Sequence, residues 1–251
     1  MSRYSNYGFP AYVTGAERKA KAEKQLKNLK SKNKTGELSP MVIDGRNISS
    51  SWWGKAWCQN LESYADYHNR IGRGKSYVRN GMVIDLKIFK GKIEALVAGS
   101  RPQPYECSIN IAPLIPKAWK NIKEHLNSKF DSLQILLNGD FPEPLQHVFS
   151  SREHGFFPTP KEITMDCSCP DWAILCKHLA AVLYGVGARL DKNPELIFTL
   201  RGVDATELIS ETIQSHKGTL LDKAKEAKKR KVIINITDNE LGAMFDIDFK
   251  A

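Results

Sequence analysis

Within twelve residues the chain places Cys167-Ser-Cys169 and then Cys176-Lys-His178, a C-x-C-x6-C-x-H spacing. No other feature restricts the fold as tightly. Three thiolates and an imidazole this close can close a tetrahedron around one Zn²⁺ with no open position, which makes the metal structural and not catalytic. Residues two apart in an extended strand point the same way, and Pro170 turns the chain just after the first pair. Residues two apart in a regular helix do not share a face. Cys176 is therefore expected at a helix N-terminus, with His178 in the first turn, where the partial positive charge also favours a thiolate. The expected geometry is a strand–loop–helix clamp. The residues leave weaker alternatives open: clustering without a metal, an iron–sulfur cluster, redox chemistry at the C-x-C pair, and a catalytic zinc. A catalytic zinc needs an open position, and a redox pair leaves Cys176 and His178 without a role.

The rest of the chain bounds the class. Its 251 residues, 41% hydrophobic, suffice for one large domain or two modest ones. No run approaches the length of a transmembrane helix, and the N-terminus lacks the apolar stretch of a secretory signal, so a soluble cytoplasmic protein is expected. Five cysteines, three of them in the cluster, are not a disulfide framework; Cys58 and Cys107 fall in apolar patterns and are read as structural and inert. A net charge of +9 points to an acidic partner, nucleic acid first.

An α+β chain is expected, with a small antiparallel meander covered by helices and followed by a mainly helical region that contains the zinc-bound module. Residues 1–39 read as a basic arm: an aromatic stretch with Tyr4, Tyr7, Phe9 and Tyr12, then a helix over 16–34 whose eight cations face only Glu17 and Glu23. Leu26 and Leu29 give it a narrow apolar stripe, so it is expected to be exposed, either ordering on a polyanion or simply solvated. Residues 40–115 read as a helix over 50–69, with Trp53, Trp57, Leu61 and Tyr64 on a core face, plus three alternating strands that this helix covers. Residues 116–160 read as a helical connector, with Trp119, Ile122 and Leu126 on one face. The zinc module occupies 161–203, with a short strand at 161–165 and a helix at 175–187. Residues 204–251 form a helical extension with a second basic run, KAKEAKKRK.

The segment CSCPDWAILCKHLAAVLYGVGARLDKNPELIFTLRG, the block from Ser51 to Ile88 and the Gly99-Ser100-Arg101 turn resemble bacterial SWIM zinc finger proteins, whose core pattern is C-x-C-xn-C-x-H. The resemblance covers about residues 40–205. It implies one structural Zn²⁺ held by Cys167, Cys169, Cys176 and His178, a role in DNA binding or protein interaction, and no catalysis. It also implies an adaptor role with a Snf2-type helicase, since such proteins are often encoded beside one.

Candidate nucleic-acid contacts lie in Arg70–Gly81, where Arg73, Lys75, Tyr77 and Arg79 alternate with glycines that would let backbone approach a phosphate, and at Lys177 between two ligands. The alternative is a plain surface loop from helix to meander. Arg189, Lys192 and Arg201 extend the candidate basic face. No base-reading motif is present, so binding is expected to be backbone-driven and salt-dependent. The expected function is a non-catalytic zinc protein that binds nucleic acid, DNA before RNA; the alternative is an adaptor docking a Snf2-type helicase. No P-loop, G-x-S-x-G or HExxH pattern supports an enzyme, and neither a membrane nor a small-molecule substrate is expected.

Overall fold

The computed structural model describes residues 13–32, 37–63, 68–127, 146, 149–151 and 155–204. The aromatic arm at 1–12, Tyr64, the helical stretch read at 128–145, His154 and the C-terminal extension from 205 lie outside the described residues.

Among the described residues four strands form one antiparallel sheet in the order β1-β2-β3-β4: β1 (Val83–Phe89), β2 (Lys92–Val97), β3 (Tyr105–Ile111) and β4 (Ile163–Cys167). The meander follows its period-two pattern. Tyr105, Cys107, Ile109 and Ile111 are buried while Glu106 and Asn110 are exposed. Gly91, at φ +66°, makes the tight turn between β1 and β2. Chain-distant β4 closes the sheet beside β3, setting Cys107 opposite Cys167. Before β1, Ser39 and Met41 run along its free edge, with bonds from Met41 N to Val83 O (2.9 Å) and from Leu86 N to Ser39 O (3.0 Å).

Among the described residues the helices with described bounds are, in chain order, α1 (Gly15–Lys32), α2 (Trp52–Glu62), α3 (His68–Arg79), α4 (Pro116–Asn127), α5 (Lys177–Leu190) and α6 (Leu196–Arg201). Every residue of α5 from His178 to Gly187 is buried. A helix apolar all round must be enclosed, and this one lies between the sheet on one side and α2 and α3 on the other. The sheet is therefore covered by α5, and not by α2 as the periodicity around Trp53 suggests. The aromatic face of α2 is core as expected, with Trp53, Trp57 and Leu61 buried, but its partner is α5: Trp57 Nε1 donates to Leu183 O at 2.8 Å. Gly54 permits this crossing, since a Cβ there would overlap Gly187 O. Asp191 caps α5 and binds the start of α2, accepting from Ser50 N (2.6 Å), Ser51 N (3.1 Å) and three serine hydroxyls.

Two further expectations are corrected. The Arg70–Gly81 stretch is not a loop but α3, up to Arg79. Two glycines lower its helix propensity, yet packing overrides propensity: Gly74 and Val78 are buried against α5, and a Cβ on Gly74 would come within 2.5 Å of Ala180 Cβ. Nor is α1 a free helix. Ala22 and Gln25 are buried, Lys21 Nζ donates to Ser100 O (2.8 Å) and Gln25 Nε2 to Arg101 O (2.7 Å). Its outer face keeps the exposed Lys19, Lys24, Lys27 and Lys30.

Around α6, Phe198 meets Phe156 and Trp53, and Trp53 meets Phe149. Arg201, read from sequence as part of a basic face, is 1% exposed. It donates to Ala112 O and to Glu162 Oε1, both at 2.7 Å, tying α6 to the end of β3 and the turn before β4. Arg189 is likewise turned inward, donating to Ser39 Oγ (3.0 Å). No helix of the described residues is long and apolar enough to cross a membrane.

Candidate metal centre and the groove beside it

The sheet and α5 together bring the four predicted ligands to one point. Cys167 ends β4, Cys169 follows in the bend, Cys176 is the N-cap of α5, and His178 lies in its first turn. Cys176 has extended backbone and its sulfur accepts from Leu179 N at 3.5 Å, as an N-cap should. His178 Nδ1 lies 3.9 Å from Cys167 Sγ and 3.8 Å from Cys176 Sγ, and the four ligand atoms all fall within 4.8 Å of one another. A tetrahedral zinc with sulfur at about 2.3 Å and nitrogen at about 2.0–2.1 Å sets ligand–ligand edges of roughly 3.5–3.8 Å. The cluster has the donor set and the spacing for one structural zinc, and four protein ligands complete its coordination.

The electrostatics run against the thiolate expected at Cys176 from the helix N-terminus alone. Cys167 and Cys176 are held well above the ordinary thiol range, first because each shares a hydrogen bond with a neighbouring sulfur (Cys107 for Cys167, Cys167 for Cys176), with burial adding to it. Burial also raises Cys169. Burial and the adjacent Lys177 push His178 down to about 4, so its imidazole is neutral and free to donate a lone pair. Sulfurs this crowded need a cation to ionise together, which is what a bound Zn²⁺ supplies.

The shell around the ligands fixes the ring. Tyr105 stacks on His178 at 4.3 Å and Tyr77 meets it edge-on at 5.5 Å. Nδ1 faces the sulfurs; Nε2 is buried without a hydrogen-bond partner among the described residues. Ring orientation therefore rests on aromatic packing rather than on a hydrogen bond to the second nitrogen, the commoner arrangement at metal-bound histidines. Cys107, read as merely inert, is buried 3.6 Å from Cys167 and donates to that sulfur. Cys58 is structural: it packs where α2 crosses Gly187, and burial pushes its thiol up to about 12.

Of the five residues read as nucleic-acid contacts, the structure gathers three. Arg73, Tyr77 and Lys177 line an open groove of about 410 Å³ with Gly72, Ser76 and Arg18, the last delivered by α1. Arg18 and Lys177 sit 6.0 and 5.8 Å from the Tyr77 ring. Among the described residues, none of the three cations has a carboxylate partner. Lys75 is not part of this set: it pairs with Glu62 at 2.8 Å and lies over Tyr184. Arg79 is in a separate shallow depression with Lys19 and Glu23. Arg18 escaped the sequence reading as a site residue because only the docking of α1, 58 residues away from Ser76, carries it there. Trp172 also escaped it. It stands 94% exposed in the spacer between the ligand pairs, with Ile174 79% exposed beside it.

With this geometry in hand, comparison with known proteins agrees. An uncharacterized protein of Mycobacterium tuberculosis is 37% identical over 164 residues, 65% of this chain and 59% of that relative, so the chain spans under two thirds of the relative's length. No solved structure gives a significant match. The SWIM zinc finger model matches residues 161–186, the stretch from the turn before β4 into α5. The chain carries a SWIM zinc finger there, with Cys167, Cys169, Cys176 and His178 as its ligand set.

Proposed function

We propose that this chain is a non-catalytic, zinc-stapled accessory protein that binds nucleic acid, DNA foremost, through the phosphate backbone. One observation carries the reading: Arg18, Arg73 and Lys177 converge on one groove beside the metal centre with no counter-ion among the described residues. Cations held together without acids repel one another, and that arrangement is stabilised when a polyanion fills the groove. The exposed lysines of α1 extend the positive surface, in keeping with the net charge of +9. The zinc contributes by pinning Lys177, which lies between two ligands, in the groove it shares with Arg73.

Three phosphate contacts imply a salt dependence. Raising salt fourfold should weaken duplex binding by about 40-fold and single-strand binding by about 20-fold. Fluorescence anisotropy with labelled DNA at two salt concentrations tests this, and affinity indifferent to salt would contradict it. The exposed Trp172 and Ile174 favour a second reading, docking of a Snf2-type helicase through the zinc loop. Co-purification with such a motor after nuclease treatment, from a protein that binds no oligonucleotide, would support that reading over the first.

A further inference from the structure

Trp172 has no structural account within the fold. A tryptophan 94% exposed forfeits the apolar burial that normally places it inside a protein. It is not on a loose tip either. Cys169 and Cys176 bracket it as metal ligands, and its neighbour Asp171 is tied to α3 by Arg70 at 3.2 Å and to the loop backbone by Ala173 N at 3.3 Å. Arg70 lies one helical turn before Arg73, so the anchored loop stands next to the basic groove. A large aromatic surface, held in place by a metal clamp and open to solvent, is pre-organised for a flat partner.

Resting on the nucleic-acid reading above, we infer that the partner is a single strand, with one unstacked base lying on the Trp172 indole and the adjacent phosphates in the Arg18–Arg73–Lys177 groove. Two features favour a single strand over a duplex, and a third singles out Trp172 as the stacking ring. A base face is available for stacking only where the strand is unpaired and unstacked. The finger's own helix, α5, is buried on all sides from His178 to Gly187 and has no free face to enter a major groove. Tyr77, the aromatic in the groove itself, is partly buried between His178 and two cations, which leaves Trp172 as the open ring.

The test compares the zinc-loaded full chain with its Trp172→Ala, Trp172→Phe and Arg73→Glu variants. The probes are a labelled oligothymidylate and a duplex of equal length. Trp172→Ala should weaken single-strand binding by roughly tenfold or more and leave duplex binding within about twofold, and Trp172→Phe should show a smaller loss than Trp172→Ala. Oligothymidylate should also quench wild-type tryptophan emission well beyond that of Trp172→Phe, because Trp53, Trp57 and Trp119 are buried and the half-buried Trp52 packs on Trp53 and Phe157. Zinc content and circular dichroism should be unchanged in both Trp172 variants. Undiminished oligothymidylate binding by Trp172→Ala, or tighter binding of the duplex, overturns the stacking inference; loss in Arg73→Glu alone would then leave the phosphate reading standing. If wild-type protein binds neither probe, both readings fall.

Discussion

The contact of α3 with α5 makes one substitution act in opposite directions at two positions a half-turn apart. Replacing an exposed helical glycine by alanine raises helix propensity and restrains the unfolded chain, together stabilising by about 0.5–1 kcal/mol. Gly72 meets that condition: a Cβ there finds nothing within 4 Å. Gly72→Ala should raise the Tm by about 1–4 °C. At Gly74 the new Cβ would lie 2.5 Å from Ala180 Cβ, 2.9 Å from Ala180 C and 3.1 Å from Ala181 N. Two of these are backbone atoms of α5 and cannot swing aside. Carbon atoms pack at about 3.5–4.0 Å, so α3 must retreat by about 1 Å, opening its seam with α5. Overpacking of this kind costs about 1–3 kcal/mol, which outweighs the propensity gain and leaves Gly74→Ala about 1–2 kcal/mol less stable, with Tm lower by about 2–8 °C. Urea unfolding of the zinc-loaded variants, followed by circular dichroism at fixed free zinc, measures both. Stabilisation by both substitutions would show that α3 does not pack against α5 as described, and the groove built on that contact would lose its basis.

Chelation should remove stoichiometric zinc and make residues 160–200 protease-sensitive, since structural zinc contributes about 10–16 kcal/mol in small fingers; a 160–200 segment that survives proteolysis after metal loss refutes the clamp. Glu162→Gln should destabilise by about 3 kcal/mol, because it strips the buried Arg201 guanidinium of its counter-charge, whereas an Arg201→Met/Glu162→Leu double substitution should recover much of that loss; thermal melts within about 1 °C of wild type for Glu162→Gln would refute the pairing. Burial alone would raise Asp191, but hydrogen bonds from Ser51, Ser50 and Ser49 outweigh it and hold the carboxyl below its ordinary 3.8. With the folded value depressed, this contribution is complete above 3.8 and is lost as pH falls through the folded value, so Asp191→Asn should lower stability at neutral pH and flatten the acid limb of the unfolding curve. An acid limb identical to wild type would contradict that assignment.

The metal centre was legible because its information is local. Four ligands within twelve residues, a proline after the first pair and a helical pattern after the second determine a strand, a turn and an N-cap, and the ligand atoms meet as those rules require. The three-stranded meander was legible for the same reason: a period of two declares which face of each strand is buried. What only the tertiary structure decided depends on contacts between distant segments. Period and propensity say that α5 has apolar residues but not that it is enclosed by β1–β4, α2 and α3. They made the Gly72–Gly74 stretch a loop, because a glycine's fit against Ala180, more than a hundred residues on, has no local signature. They counted Arg201 as surface charge, since its carboxylate partner is 39 residues away. The basic groove has the same origin. Arg18, Arg73 and Lys177 come from three separate helices, and charge along a chain states how many cations there are, while the packing of α1, α3 and α5 determines which of them face one another.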